Sequence, residues 1–130
     1  MNNDRLGRLI QSIGTDIEGE LGFWQFTFSG TRLVCITDEE HDRMRVMTPI
    51  VALDEMNQEQ ILSCLSANFD RALDARYCLN NDTLWGAFIH PLGSLTAELF
   101  QSACFQVSEV AHNFGDSYTS SGLSFNTDMF

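Results

Sequence analysis

Leu6, Leu9, Ile10 and Ile13 recur at the spacing of one helix face. Asn2, Asn3 or Asp4 can cap the start of that helix, and Gly14 can end it. From Trp24 the period changes to two, the period of a strand. Trp24, Phe26 and Phe28 alternate with Gln25 and Thr27, and Ser29-Gly30 supplies a tight turn. Val34 and Ile36 alternate with Leu33, Cys35 and Thr37. The polar run "DEEHD" then turns the chain before Met44 and Val46, which alternate with Arg43 and Arg45. The pattern predicts three antiparallel strands sharing one apolar face: Trp24, Phe26, Phe28, Val34, Ile36, Met44 and Val46. Pro49 is expected to close the third strand, because proline cannot donate to a ladder.

The second half returns to the helical period. Asn57 and Gln60 form a capping-box pair, flanked by Met56 and Ile61 as a hydrophobic staple. Ile61, Leu62, Leu65 and Phe69 then line one helix face. Residues 75–90 read as two strands around a turn at Asn81-Asp82. In the second of these, Trp85 and Ile89 face one way, while Leu84, Phe88 and His90 face the other. Both faces are apolar, which places the strand mid-sheet or against a partner. A third helix starts near Thr96 as cap, with Leu95 and Phe100 as its staple. Leu99, Phe100, Ala103, Cys104, Val107, Val110, Ala111 and Phe114 form its apolar stripe, and Gly115 ends it. Phe105 falls on the opposite side, among Glu98, Glu109 and His112. Residues 1–115 thus read as one domain and 116–130 as a polar, flexible tail. The order α-β-β-β-α-β-β-α gives an α+β class, an antiparallel sheet with helices packed on it.

Charge narrows the choice of partners. Seven Arg and no Lys stand against eighteen Asp and Glu, a formal net charge of −11. Such a surface repels phosphate backbones and anionic lipid, so neither nucleic acid nor membrane is an expected partner. The first residues lack a basic end followed by an apolar run, so no signal peptide is expected, and the cytoplasm is the expected location. Cys35, Cys64, Cys78 and Cys104 show no C-x-x-C spacing and read as free thiols packed in a reducing compartment.

Candidate chemistry adds little. A hydrolase would need a nucleophile beside a base. Cys104 with His112 and Cys78 with His90 are the pairs to consider. Cys104 lies on the apolar stripe and His112 on the polar side, while Cys78 and His90 fall at different levels of neighbouring strands. "TDEEHDR" holds consecutive acids without a turning glycine, so it reads as a solvated hairpin tip rather than a cation loop. Arg43 and Arg45 share one strand face, where they can pair across strands or bind an acidic group. Phe105, with Phe23, Leu33 and the two-faced strand 84–89, points to protein contact. No catalytic residue, cofactor or metal site is assigned.

Several segments together resemble a known family: "ILSCLSANF" (61–69), "LDARYCLNNDTLWGAFIHPL" (73–92) and "SLTAELFQSACFQVSEVA" (94–111). An Asn ending a Leu-rich helix, two strands, a Pro-Leu joint and a Leu-Thr-x-Glu-Leu helix start recur in this order in the putative bacterial sensory transduction regulators. The order of elements resembles the class I type III secretion chaperones, which share that fold. The resemblance implies a cytoplasmic homodimer without enzymatic activity or cofactor, binding a client or effector protein. It implies a dimer contact near 57–69 and 75–80. The candidate dimer or partner surface is therefore Ile61, Leu65, Phe69, Tyr77, Trp85, Phe88 and Phe105. The alternative is a small-ligand-binding regulator or an unrecognised Cys/His enzyme.

Overall fold

A computed structural model of the chain describes residues 1–120. It begins with α1 (Asn3–Ile13), capped by Asn2, whose side chain accepts from the Arg5 N–H at 2.9 Å. Leu6 and Ile10 are the buried residues of its inner face. The strands β1 (Thr15–Glu20), β2 (Phe23–Phe28), β3 (Thr31–Asp38) and β4 (Arg43–Ala52) follow. A short 3-10 turn, Leu53–Glu55, leads into α2 (Gln58–Asp70), then β5 (Arg76–Asn80), β6 (Thr83–His90) and α3 (Ala97–His112). All strands pair antiparallel in the order β1-β2-β3-β4-β6-β5. The chain therefore passes over α2 to the far edge of the sheet, and β6 returns beside β4. One apolar cluster joins Leu6 and Ile10 of α1, Cys64 and Ala67 of α2, Phe100 and Val107 of α3, and the inner side of the sheet. All three helices thus lie on one face.

The order contains one strand more than the pattern predicts. β1 ("TDIEGE") is missed because it has no apolar alternation: apart from half-buried Ile17, its residues are exposed. It is held by its ladder to β2, with a bulge between Thr15 and Glu18. Asp16, Glu18 and Glu20 on this outer strand discourage edge-to-edge pairing.

β3 faces the opposite way from the prediction. The two-residue turn at Ser29 (φ 49°) and Gly30 (φ 77°) sets Phe28 opposite Thr31. Phe26 then faces Leu33, and Trp24 faces Cys35. Directly opposed residues share a sheet face, so Leu33 and Cys35 point to the helices and are fully buried. Val34 and Ile36 lie on the outer face instead. Pro49 does not end β4 either. It sits past the last β3–β4 pair, Val34 with Met47, where its missing N–H is not required on that side.

α3 starts as predicted. Thr96 Oγ1 accepts from the Leu99 N–H at 3.1 Å, and the staple residues Leu95 and Phe100 are both buried. The helix ends at His112, three residues before Gly115. It rides close on β6. A Cβ at Gly86 would come within 2.7 Å of Val110 Cγ2, so only glycine allows this approach. Two polar residues sit unpredicted in its buried stripe. Gln106 Oε1 accepts from the N–H groups of Asp74 (2.8 Å) and Ala75 (3.0 Å), tying down the entry to β5. Ser108 shares a 2.7 Å hydrogen bond with Thr31. Residues 116–120, the start of the tail, bond to Arg71 and Leu73 after α2 and to Asn113 after α3. Ser120 Oγ accepts from the Leu73 N–H, and Tyr118 meets Tyr77 edge-on. The rest of that expected tail lies outside the described residues.

Candidate functional site

The rotation of α2 decides what the molecule presents. Its N-terminus is the expected capping box, with Asn57 accepting from the Gln60 N–H at 2.8 Å and Gln60 accepting from the Asn57 N–H at 3.0 Å. Its buried residues are small, Cys64 and Ala67. Its large apolar residues point away: Leu62 is 55 % exposed, and Leu65 and Phe69 are 62 % exposed. The helix is anchored near its other end. Asn68 Nδ2 donates to the Tyr77 carbonyl (3.0 Å), and Asn68 Oδ1 accepts from the Tyr77 N–H (2.8 Å). The side-chain amide thus pairs with the free edge of β5 as a further strand would, and it locks the helix in register. Cys64 and Ala67, three positions apart, hold the inner side of the helix, and Leu62, Leu65 and Phe69 lie on the other side.

Leu79 of β5, 55 % exposed, extends this apolar surface. Between helix and strand runs a shallow groove of about 150 Å³, lined by Met56, Ile61, Cys64, Leu65, Leu79 and Leu84 among others. It has no charged wall, so it suits apolar side chains rather than a polar metabolite.

The seven sequence-chosen surface residues separate accordingly. Leu65 and Phe69 are exposed on α2, with Ile61 half-buried beside them in the groove. Tyr77 and Phe88 are not surface residues. Tyr77 is buried with its hydroxyl donating to the Val110 carbonyl at 2.6 Å, and Phe88 is buried under the helices. The two-faced reading of β6 correctly set Phe88 and Trp85 on opposite sides, but the inner side is covered by this chain itself. Trp85 is half-buried on the outer face, and Phe105 is 45 % exposed on α3. Leu62 and Leu79 are the surface residues that the sequence choice omitted. Leu62 was legible on the same helix face, whereas Leu79 required the β5–α2 juxtaposition.

The Cys/His pairs do not come together. His90 stacks on Phe88 and bonds to the Pro91 carbonyl oxygen. Cys78 is paired opposite Trp85, five positions along β6 from His90. That separation is roughly 17 Å at strand rise. His112 bonds to Thr31, not to Cys104. Burial pushes the Cys35 and Cys104 thiols far above their usual range and Cys64 up to about 11. Such thiols are poor nucleophiles. Burial raises the Cys78 thiol too, against the opposing fields of Arg76 and Arg45, but Cys78 is only half-buried and so is open to a reagent. A thiol reagent at pH 8 should therefore label Cys78 in the native protein, and Cys35, Cys64 and Cys104 only after denaturation. Labelling that persists in Cys78→Ser contradicts this burial order.

At the β3–β4 tip, His41 binds Asp38 through its ring and its backbone N–H, which holds the Asp38 carboxyl below the usual range. Asp42 accepts from the Gly93 N–H. Among the described residues no group of three or more His, Cys, Asp or Glu is arranged to hold a metal. No described helix is long and apolar enough to cross a membrane.

No protein-family model and no curated protein matches the sequence. Two solved structures share its arrangement. A chain in the crystal structure of the ExsC–ExsE complex has a TM-score of 0.62 at 15 % identity, over 85 % of this chain and 92 % of that one. A chain in the structure of the HopA1–SchA chaperone–effector complex has a TM-score of 0.60 at 10 % identity, over 82 % of this chain and 87 % of that one. The α+β class, an antiparallel sheet with helices packed on it, is as the order of elements anticipates, and the fold is similar to those of the chains in these two complexes.

Proposed function

We propose that this chain is a non-enzymatic, cytoplasmic protein-binding module that acts as a homodimer and holds a client protein, in the manner of a secretion chaperone. The observation that carries the reading is α2, an amphipathic helix mounted with its large side chains outward. Leu62, Leu65, Phe69 and Leu79 form an apolar surface at the β5 edge. A two-fold contact covers the same patch on both chains. Each leucine whose exposed part is buried there contributes about 1 kcal/mol or more on each side.

Two further lines support it. The fold is shared with a chain of a chaperone–effector complex. The motif run from 61 to 111 is similar to the sensory transduction regulators, to which no catalytic motif belongs. Light scattering during gel filtration tests the dimer: twice the chain mass is expected, and a strict monomer at micromolar concentration rejects it. Native mass spectrometry of the protein from its own host tests the client. A stoichiometric polypeptide is expected, and a bound metabolite instead overturns the reading in favour of a ligand regulator.

A further inference from the structure

The outer face of the sheet, opposite the helices, is both apolar and basic. Its residues follow from the ladder. One row across the sheet runs Glu20–Phe23–Ile36–Arg45–Ile89, and the next runs Glu18–Gln25–Val34–Met47–Ala87–Arg76. Arg43 stands one step further along β4. Phe23 (45 %) and Ile89 (55 %) are among the more exposed large apolar side chains of the protein. Val34, Ile36 and Met47 are only half-buried between them.

The cations of this face are mostly uncompensated. In a chain of net charge −11 with seven cationic side chains, Arg32, Arg43, Arg45 and Arg76 all lie here. Arg32 faces Glu18 at 3.6 Å. Arg43, Arg45 and Arg76 make no ion pair among the described residues. Arg43 and Arg76 donate to backbone carbonyls only. Asp38, opposite Arg43 in register, is held by His41 instead. The fields of Arg76 and Arg45 both reach the Cys78 thiol, where they act against the effect of burial, so the two guanidinium groups flank one patch.

We propose that this outer face docks an amphipathic helix of a partner protein whose apolar stripe is bordered by Asp or Glu. This rests on the protein-binding reading above and names a surface separate from α2. The geometry fits. The apolar strip spans β3, β4 and β6, roughly 10 Å, which is the width of a helix. A guanidinium presents a planar fork that binds carboxylate in pairs of hydrogen bonds. Arg43 lies beyond one end of the strip, Arg76 at its β5 margin, and Arg45 within it between Ile36 and Ile89, so carboxylates along a docked stripe would reach all three. Glu18 and Glu20 lie at the β1 margin of the same face, so an acidic partner is favoured toward the β4–β6–β5 side where the three arginines gather.

The test uses two synthetic peptides of about 18 residues, long enough to form helix. They share one leucine stripe and lack Trp, and they carry either Glu or Lys along its borders. Trp85 lies on the outer face, paired with Pro49, and its fluorescence reports occupancy. The Glu peptide should shift that fluorescence and bind about tenfold more tightly than the Lys peptide, the summed effect of a few exposed ion pairs. Arg43→Gln with Arg45→Gln should remove the preference while leaving the melting temperature in place, because both positions are exposed. Leu65→Glu should leave peptide binding within about twofold, the ordinary scatter for a distant site. Equal binding of the two peptides, or no binding of the Glu peptide at 100 µM, overturns the proposal. Loss of binding in Leu65→Glu but not in the arginine variant moves the site to α2 and leaves the protein-binding reading standing. A drop in mass by light scattering in the arginine variant would identify the occupant as a second copy of this chain, which also overturns it.

Discussion

Leu65→Glu should convert the proposed dimer to monomer at micromolar concentration, with the fold intact. Leu65 is 62 % exposed on α2, so the change leaves no cavity. Glutamate forms helix about as well as leucine, so α2 itself is not weakened. In a two-fold contact the new carboxylate enters the interface twice, once from each chain, in a surface that otherwise excludes water. Both the lost apolar burial and the unpaired charge act against association. A hundredfold or greater weakening, about 2.7 kcal/mol, is expected. Sedimentation velocity reads the mass, and far-UV circular dichroism confirms the fold. Phe105→Glu is the comparison: Phe105 is also exposed, at 45 %, but it lies on α3. Equal loss of dimer in both variants would mean that the contact is not centred on α2.

Asn68→Leu should cost about 2–4 kcal/mol of stability, since it strands two backbone groups at once. The Tyr77 N–H and carbonyl bond to the Asn68 amide at 2.8 and 3.0 Å, and Tyr77 itself is only 5 % exposed. Leucine is of similar size but offers neither donor nor acceptor. Asn68→Asp keeps the acceptor for the N–H and loses the donor to the carbonyl, so about half the loss is expected. Chemical denaturation at one fixed protein concentration separates the three proteins, because a dimer's apparent stability depends on concentration. A loss below about 1 kcal/mol in Asn68→Leu would show that water replaces the amide easily. The variant has a second consequence. Asn68 anchors α2 to β5, so its loss should loosen the proposed dimer as well.

Much of the fold was legible because its elements carry strong local signals. The caps at Asn2, Asn57 and Thr96 all form, and each is a short-range hydrogen bond that sequence spacing alone can specify. The alternation in β2 and β6 and the stripe of α3 were readable for the same reason. β1 was not, since an edge strand with almost no buried side chain has no pattern to read. The face of β3 was misassigned although the signal was present. Ser29-Gly30 as a two-residue turn puts Phe26 opposite Leu33, and counting from that turn gives the correct face. Gln106 and Ser108 were hidden because a buried polar residue is recognised only through its partners, Asp74 and Ala75 in one case and Thr31 in the other.

The candidate surface divides in the same way. Trp85 and Phe88 showed from sequence that β6 needs cover on two sides. The sequence also carried the apolar face of α2, from Ile61 to Phe69, and the excess of acid over base. None of these says which side of a helix or strand meets the core. Amphipathicity normally turns the large residues inward, and for α1 and α3 it does. In α2 the small residues Cys64 and Ala67 face the core instead, and two hydrogen bonds between Asn68 and Tyr77 hold the helix in that rotation. The gathering of Arg43, Arg45 and Arg76 on one sheet face likewise depends on which strands lie side by side. Sequence determined the elements, their ends and the net charge through local interactions; tertiary pairing decided which apolar and charged groups were left facing outward.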